Sequence, residues 1–272
     1  MTHASVPILK VDHLSYRYPG GQTALSDVSF TVAMNEVVGL VGPNGAGKTT
    51  LLLHLNGLLV GTRSPSPPGR GTSAASPKAA EPAYPVEVLG MPVAAPNFPE
   101  VRRVVGFLFQ DPDDQLFCPT VGEDVAFGPL NLGFPRDEVR RRVSASLEAV
   151  GLAGFEPRMP QQLSFGERRR VCLAGILACE PNLLALDEPS SNLDPRSRRR
   201  LIEILRSLNA AQIVASHDLE LILELCQRVI VLDQGRILAD GPTREVLANE
   251  ALMQAHGLEV PLSIQYGLEI GT

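Results

Sequence analysis

A glycine-rich segment near the N-terminus carries the clearest chemistry in this chain. Its spacing is G-x-x-x-x-G-K-[ST], and its residues are Gly42, Pro43, Asn44, Gly45, Ala46, Gly47, Lys48 and Thr49. The glycines allow backbone N–H groups to turn toward phosphate oxygens, and a following helix adds its positive N-terminal end. Lys48 would then bridge the β- and γ-phosphates, and the Thr49 hydroxyl would hold Mg²⁺. The segment, together with the adjacent Thr50, predicts a nucleoside triphosphate and Mg²⁺ as ligands.

Two acidic residues follow a short apolar run later in the chain. Residues 183–186 have the composition of a buried strand, and Asp187 and Glu188 come directly after them. Ligands of α/β sheets bind at the carboxyl ends of the strands. Beside a phosphate-binding loop, we expect Asp187 in the coordination shell of Mg²⁺ and Glu188 next to a water that it orients or deprotonates. The alternative is a solvated strand end without chemistry.

Alternating strands and helices would hold both groups of residues in place. An apolar run at 37–41 precedes the phosphate loop, and a leucine-rich helix at 48–56 follows it. Later strands are expected at 104–110, 183–186, 212–215, 229–232 and 236–239, with helical material over 121–150 and helices at 166–179, 195–208, 219–225 and after Pro242. This alternation predicts parallel pairing in an α/β sheet. Strand-like runs at 8–11, at 16–22 with a turn at 19–21, and at 28–32 predict a small antiparallel sheet before it.

Composition limits the function further. The chain has 272 residues, 44% of them hydrophobic and 20% charged, as in an ordinary globular protein of one large or two small domains. No apolar stretch reaches the about 18 residues of a membrane-spanning helix, and the N-terminus has no signal-peptide pattern, so we expect an intracellular protein. Four cysteines without C-x-x-C spacing favour free thiols. A net charge of -6 argues against broad binding to the phosphate backbone of nucleic acids. We therefore expect no nucleic acid partner.

One segment after the first helix has a different composition. Residues 61–85 contain six Pro, three Gly, four Ser and five Ala, with neither helical nor strand periodicity. We interpret the segment as a flexible insertion or surface loop that the fold tolerates without a dedicated function.

Three arginine triplets, at 140–142, 168–170 and 198–200, fall within predicted helices. Arginines on a helix commonly lie along its solvated face, with the stem on apolar surface and the charge in water. We expect solvated faces at all three triplets, with contacts to anionic lipids as the alternative.

A further set of motifs has no explanation in elementary chemistry but resembles a known family. The sequence Leu163-Ser164-Phe165-Gly166-Glu167 is similar to the signature motif of ATP-binding cassette (ABC) ATPases. Other motifs of that family follow in its order: Gln110 at the Q-loop position, residues 191–194 at the D-loop position and His217 at the switch-histidine position. Together with the phosphate loop and the acidic pair, these motifs cover nearly the whole chain.

The resemblance implies an α/β fold of the P-loop NTPase class and ABC ATPase type. It has a mostly parallel core sheet, an N-terminal antiparallel β-subdomain and an α-helical signature subdomain. We expect the ATP-binding domain at 6–260, with the helical subdomain at about 111–166, and a C-terminal tail at 261–272. The insertion at 61–85 stands in place of the short strand-turn stretch that usually follows the phosphate-loop helix.

The same resemblance implies ATP hydrolysis by a head-to-tail dimer, with a homodimer favoured over paired related subunits. Each ATP would lie between the phosphate loop of one chain and Ser164, Gly166 and Glu167 of the other. The signature departs from the family at two positions, because Phe165 replaces a usual glycine and Glu167 a common glutamine. Backbone contacts from Ser164 and Gly166 survive both changes, so we expect activity.

Individual roles also come from the resemblance. Tyr18 would stack on adenine, although Tyr16 is a close rival. Gln110 would contact Mg²⁺ and the attacking water, and His217 would hydrogen-bond the γ-phosphate. Glu188, His217 and Gln110 are thus the expected catalytic residues, and Gln110 joins Thr49 and Asp187 around the metal.

The segment after the Q-loop position indicates which class of ABC ATPase the chain resembles. Residues 110–117 and 120–129 resemble the energy-coupling-factor class of micronutrient importers, and within it the ATP-binding subunits for cobalt and nickel. Vitamin importers of that class, and other ABC transporters, are alternatives. A soluble ABC ATPase of DNA repair or translation is disfavoured, because the chain has neither long heptad segments nor a basic surface.

Under this resemblance the partners are a second ATPase subunit, an integral membrane transporter scaffold and a substrate-binding membrane component. The chain would be a peripheral protein on the cytoplasmic side of the cell membrane. Leu116 and Phe117, beside Asp113 and Asp114, would suit a docking patch for the membrane partner. Packing of these two hydrophobic side chains inside the protein is the alternative.

Overall fold

The computed structural model describes residues 7–63 and 84–268. Its strands, in chain order, are β1 (Leu9–Arg17), β2 (Thr23–Val32), β3 (Val37–Val41), β4 (Thr62–Arg63), β5 (Val86–Val88), β6 (Met91–Pro92), β7 (Val105–Leu108), β8 (Leu183–Asp187), β9 (Ala211–Ala215), β10 (Arg228–Asp233) and β11 (Arg236–Pro242). Its helices are α1 (Lys48–Leu55), α2 (Phe98–Val104), α3 (Val121–Asn131), α4 (Arg136–Ala149), α5 (Phe165–Leu177), α6 (Pro195–Ser207), α7 (Leu219–Leu225), α8 (Thr243–Leu247), α9 (Glu250–Ala255) and α10 (Leu262–Gln265). Most of the predicted insertion, residues 64–83, lies outside the described residues.

A mostly parallel sheet forms the centre of the fold. Its strand order is β11-β10-β3-β9-β8-β7, and every neighbouring pair is parallel except β10 with β11. Side chains alternate between its two faces, as the period of a strand requires. In β8, Leu184 and Leu186 enter the core on the helical side, whereas Leu183 and Ala185 enter the core under the second sheet. The parallel α/β sheet expected from the sequence is confirmed.

The second sheet is antiparallel and lies mostly in the N-terminal part of the chain. Its order is β2-β1-β5-β6, with β4 paired to β1 beside this path. Helix α1 contributes Leu51, Leu52 and Leu55 to the buried core shared by the two sheets. Because α1 begins at Lys48, this apolar packing fixes the helix end that follows the phosphate loop.

Helices α3, α4 and α5 pack together on the other side of the parallel sheet. Their shared core contains Val125 of α3, Val143 of α4 and Val171 of α5. Helix α5 begins with a capping box, in which Ser164 bonds the Glu167 backbone and the Glu167 carboxylate returns to Ser164. The signature residues therefore form the N-terminal end of α5.

Two predicted elements have different boundaries in the structure. In the run expected at 16–22, the strand ends at Arg17, and the turn predicted at 19–21 is present, closed by the Gly21 N–H and the Tyr18 carbonyl. The helical material expected at 121–150 forms two helices, α3 and α4. Gly133, with φ 78°, and Pro135 lie between them, and neither residue favours a continuous helix.

The region around the insertion also differs from expectation. Residues 62–63 form β4, so the predicted lack of strand structure is wrong at this end of the segment. Strands β5 and β6, joined through Leu89 and Gly90, supply a strand-turn stretch directly after it. The insertion therefore precedes that stretch and does not replace it. Helix α2 follows, and the sequence patterns did not predict it.

Candidate nucleotide site

The phosphate loop lies between β3 and α1, at the carboxyl end of the parallel sheet. Two of its glycines are required by the space around them. A Cβ on Gly42 would lie 1.9 Å from the Leu232 carbonyl oxygen, and one on Gly47 would lie 2.6 Å from the Ala24 carbonyl oxygen. Both glycines also have positive φ values, 155° and 108°. The loop thus keeps its backbone free of side chains where a phosphate would approach.

A cavity of about 750 Å³ opens above this loop. The predicted residues that line it are Tyr18, Gly42, Pro43, Asn44, Gly45, Ala46, Gly47, Lys48, Thr49, Thr50, Gln110, Asp187, Glu188 and His217. These residues come from the ends of several strands and from the loops that follow. One chain therefore brings together both acidic residues, the phosphate loop and the Q-loop and switch-histidine positions.

Lys48 is the buried cation of this cavity. Its ammonium donates hydrogen bonds to the carbonyls of Gly42 and Pro43, at 2.8 and 3.2 Å. Burial lowers the pKa of Lys48, while the nearby carboxylates of Glu188 and Asp187 raise it. A phosphate would offer this ammonium anionic acceptors in place of neutral carbonyls, which makes its binding favourable.

Asp187 and Thr49 form the candidate metal site. The Thr49 hydroxyl donates to Asp187 Oδ2 at 2.8 Å, whereas Asp187 Oδ1 is buried without a hydrogen-bond partner in the described part of the chain. Burial raises the pKa of the Asp187 carboxyl. An orphaned carboxylate oxygen beside a hydroxyl is the hard oxygen donor set that Mg²⁺ prefers. The residues present therefore fit a magnesium ion.

Glu188 occupies a constrained position beside that site. It has φ 46°, in the left-handed region, where a residue with a side chain persists only if its surroundings hold it. Its carboxylate accepts the His217 backbone N–H at 3.1 Å and the Ser216 hydroxyl at 3.1 Å, and it lies 2.8 Å from His217 Nδ1. The carboxylate is thus fixed at the cavity wall, where it can accept a proton from a water.

Tyr18 and Gln110 both line this cavity. The Tyr18 hydroxyl hydrogen-bonds the Thr50 hydroxyl at 3.0 Å, and its ring is partly exposed. Its rival Tyr16 packs edge-on against His54, with ring centroids 4.8 Å apart, and is absent from the cavity lining. The geometry therefore favours Tyr18 over Tyr16 as the residue that is available to stack on an adenine ring. Gln110 is exposed and follows β7.

The signature residues face a different part of the surface. Ser164 and Glu167 line a second depression, together with Arg170 and residues of α6, and not the cavity over the phosphate loop. Gly166 is buried against α6, where a Cβ would lie 2.6 Å from the Ser197 hydroxyl. A single chain thus leaves these residues apart from its own phosphate loop, as the implied two-chain site requires.

Sequence reasoning missed several residues of the site. Leu219, Leu258 and Glu259 also line the cavity, but no pattern in the chain marks them. The arginine triplet at 168–170 was expected to lie on a solvated helix face. Arg169 is fully buried, and its guanidinium bonds three main-chain carbonyls near the site. The solvated-face expectation is therefore wrong for Arg169.

Fold and site together define an ABC-type ATPase. The ABC transporter family model matches residues 25–191, more than half of the chain. The chain therefore belongs to the ABC transporter family, among its ATP-binding proteins. Within the described residues, no helix has the length and apolar character needed to cross a membrane.

Several named proteins and one solved structure are similar to this chain over most of its length. An ABC transporter ATP-binding protein of Gloeobacter violaceus is 51% identical over 94% of this chain and 98% of its own length. The energy-coupling factor transporter ATP-binding protein EcfA of Methanothermobacter thermautotrophicus is 43% identical over 93% of this chain and 77% of its own. Among solved structures, CbiO1 of Clostridium perfringens, part of the ABC transporter complex CbiONQ, superposes with a TM-score of 0.74 at 31% identity. That match covers 96% of this chain and 98% of CbiO1.

Proposed function

We propose that this chain is the ATP-hydrolysing subunit of an energy-coupling-factor importer for cobalt or nickel ions. It acts as a homodimer on the cytoplasmic side of the membrane, attached to an integral membrane transporter scaffold and a substrate-binding membrane component. Similarity to EcfA and to CbiO1 of the CbiONQ complex supports the class of transporter. The likeness of residues 110–129 to cobalt and nickel subunits supports the substrate.

The fixed carboxylate of Glu188 is the observation that carries hydrolysis. It lies at the wall of the phosphate-loop cavity, held by His217 and Ser216. There it accepts a proton from the water that attacks the γ-phosphate, while Lys48 balances the phosphate charge. Thr49 and Asp187 would hold Mg²⁺, which when bound would neutralise further charge on the phosphates.

A second chain completes this site in the proposed mechanism. Tyr18 stacks on the adenine and Gln110 contacts the attacking water, both from the chain whose phosphate loop holds the ATP. Ser164 and Gly166 of the other chain contact the γ-phosphate from the opposite side. The separation of these residues from their own phosphate loop supports this arrangement. ATP binding would close the dimer and hydrolysis would reopen it.

An exposed aromatic pair supports attachment to a membrane partner. Phe117 is 65% exposed and packs edge-on against the exposed Phe127, with ring centroids 4.8 Å apart. These rings border a groove of about 230 Å³ between α3 and α5. Leu116 instead packs against the core, so the predicted docking patch is divided, with Phe117 as its accessible member.

The test is recovery of the complex from native membranes. Tagged chain is purified in mild detergent, its companions are identified by mass spectrometry, and bound cobalt and nickel are measured. We expect a multi-spanning scaffold and a small membrane component that holds one of these metals. A vitamin-binding component would overturn the metal assignment alone, whereas recovery of only soluble proteins or nucleic acid would overturn the transporter assignment.

A matched variant tests the link between hydrolysis and uptake. Glu188→Gln should bring down the same membrane components, because it changes one buried carboxylate that does not line the Phe117 groove. Metal uptake by cells that carry this variant should fall on the order of a hundredfold, as expected for loss of a general base. Normal uptake with Glu188→Gln would contradict the proposed mechanism.

A further inference from the structure

One fully buried arginine joins the signature helix to the catalytic loops. Arg169 lies on α5, and its Nε donates to the Pro189 carbonyl at 3.1 Å. Its Nη2 donates to the Glu188 carbonyl at 2.5 Å, and its Nη1 donates to the Phe109 carbonyl. A planar guanidinium with five donors suits such a three-way contact, which a lysine could not reproduce.

The three carbonyls belong to the two loops that carry predicted catalytic residues. Phe109 directly precedes Gln110 at the end of β7, and Glu188 and Pro189 follow the neighbouring strand β8. The left-handed backbone of Glu188 is therefore held at its carbonyl by Arg169 and at its N–H by the Ala215 carbonyl, 2.8 Å away. Side-chain position follows backbone position, so Arg169 helps to determine where the Glu188 carboxylate lies.

A second connection reinforces the same link. The Phe109 N–H donates to the Gln115 side chain at 3.3 Å, and Gln115 in turn donates to the Cys172 carbonyl of α5 at 3.4 Å. Both backbone groups of Phe109 are thus tied to α5. Gln115 also lines the groove beside Phe117, so these contacts run from the exposed aromatic pair to the catalytic loops.

Burial of the Arg169 charge destabilises the folded state, whereas an apolar side chain at the same place would not. Within the described residues Arg169 forms no salt bridge, and its charge is offset only at longer range, by Cys172 and by carboxylates such as those of Asp187 and Asp111. Burial lowers the pKa of Arg169 for the same reason. An unpaired buried cation costs stability, and an apolar side chain would fill the space at lower cost. A positional role accounts for the presence of arginine here.

We propose that Arg169 is a positioning residue for ATP hydrolysis, fixing the Glu188 and Gln110 loops to the signature helix so that turnover follows the orientation of α5. The inference rests on the proposed function, because it assigns Arg169 to the reaction of that same site. It predicts that Arg169 affects turnover through Glu188 and leaves ATP binding to the phosphate loop nearly unchanged.

The experiment compares Arg169→Lys and Arg169→Met with Arg142→Met in the full chain. Arg142 is a matched control, because its side chain is 10% exposed and it donates to the Ala178 carbonyl at the opposite end of α5. For each variant we would measure Tm, the Kd for MgATP and kcat. Hydrogen exchange of peptides that cover residues 109–115 and 188–191 provides a readout independent of turnover.

Arg169→Lys should lower kcat by on the order of tenfold to a hundredfold, as expected for a misplaced catalytic group, with a Kd within about threefold of the original. Arg169→Met should lower kcat further, and both should exchange faster in the two loops. Arg142→Met should lower Tm without either effect. An unchanged kcat or unchanged loop exchange in Arg169→Lys would overturn the proposal, as would a loss of turnover matched by Arg142→Met. Absence of turnover in the original chain would instead overturn the proposed function, and the exchange data would still decide the position of Arg169.

Discussion

At the scale of single residues, Asp187 shows how a site sacrifices stability for chemistry. Burial raises the pKa of its carboxyl even with the attraction of Lys48 included, and Oδ1 has no partner in the described part of the chain. A carboxyl with a raised pKa in the folded state destabilises that state as pH rises above its ordinary value. Without nucleotide or Mg²⁺, Asp187→Asn should therefore raise Tm by about 2–4 °C near neutral pH, equivalent to about 1 kcal/mol. The gain should shrink as pH falls toward the ordinary carboxyl range, and thermal unfolding across that range measures it. A lower Tm at neutral pH would contradict this account.

At the scale of elements, two helices begin with the same device but have different proposed roles. Thr120 with Glu123 caps α3, and Ser164 with Glu167 caps α5. Loss of either hydroxyl should cost about 1 kcal/mol, so Thr120→Ala and Ser164→Ala should lower Tm by similar amounts. Only Ser164→Ala should also slow ATP turnover, because only Ser164 is proposed to reach an ATP on a second chain. Calorimetry and a steady-state ATPase assay on both variants check the prediction. Equal effects on turnover would reduce the role of Ser164 to capping.

At the scale of the whole molecule, the separation of the phosphate loop from the signature residues makes assembly part of the chemistry. Glu188→Gln should stop ATP turnover but leave ATP binding by the phosphate loop intact. Bound MgATP should therefore hold two chains of 29.2 kDa together. Sedimentation in MgATP should then give a dimer mass, and a monomer mass without nucleotide. Adding Lys48→Ala should abolish the dimer, because it removes the cation that binds the phosphates. A Glu188→Gln protein that remains monomeric in saturating MgATP would contradict the two-chain site.

Local patterns in the sequence were sufficient for the phosphate loop and most of the regular elements. The positive φ values of Gly42 and Gly47 follow from residue type at a fixed spacing, and the apolar run before them fills a buried strand. Strand β8 and the acids at its end were likewise readable, because a strand buried on both faces needs an uninterrupted apolar run. Such features depend on neighbours in the chain, so the order of residues specifies them.

Contacts between distant segments could not be derived in this way. Residue type alone placed Arg169 on a solvated helix face, yet carbonyls 19 to 60 positions away receive its hydrogen bonds. The hydrogen bonds of His217 to Glu188 span 29 positions, and the choice of Tyr18 over Tyr16 depends on which ring faces the cavity. Burial and partner choice are set when strands and helices pack, because only then do separated groups share one low-dielectric space. Local sequence motifs determine which reactive side chains this chain has. The tertiary fold determines the arrangement that would let these side chains act together.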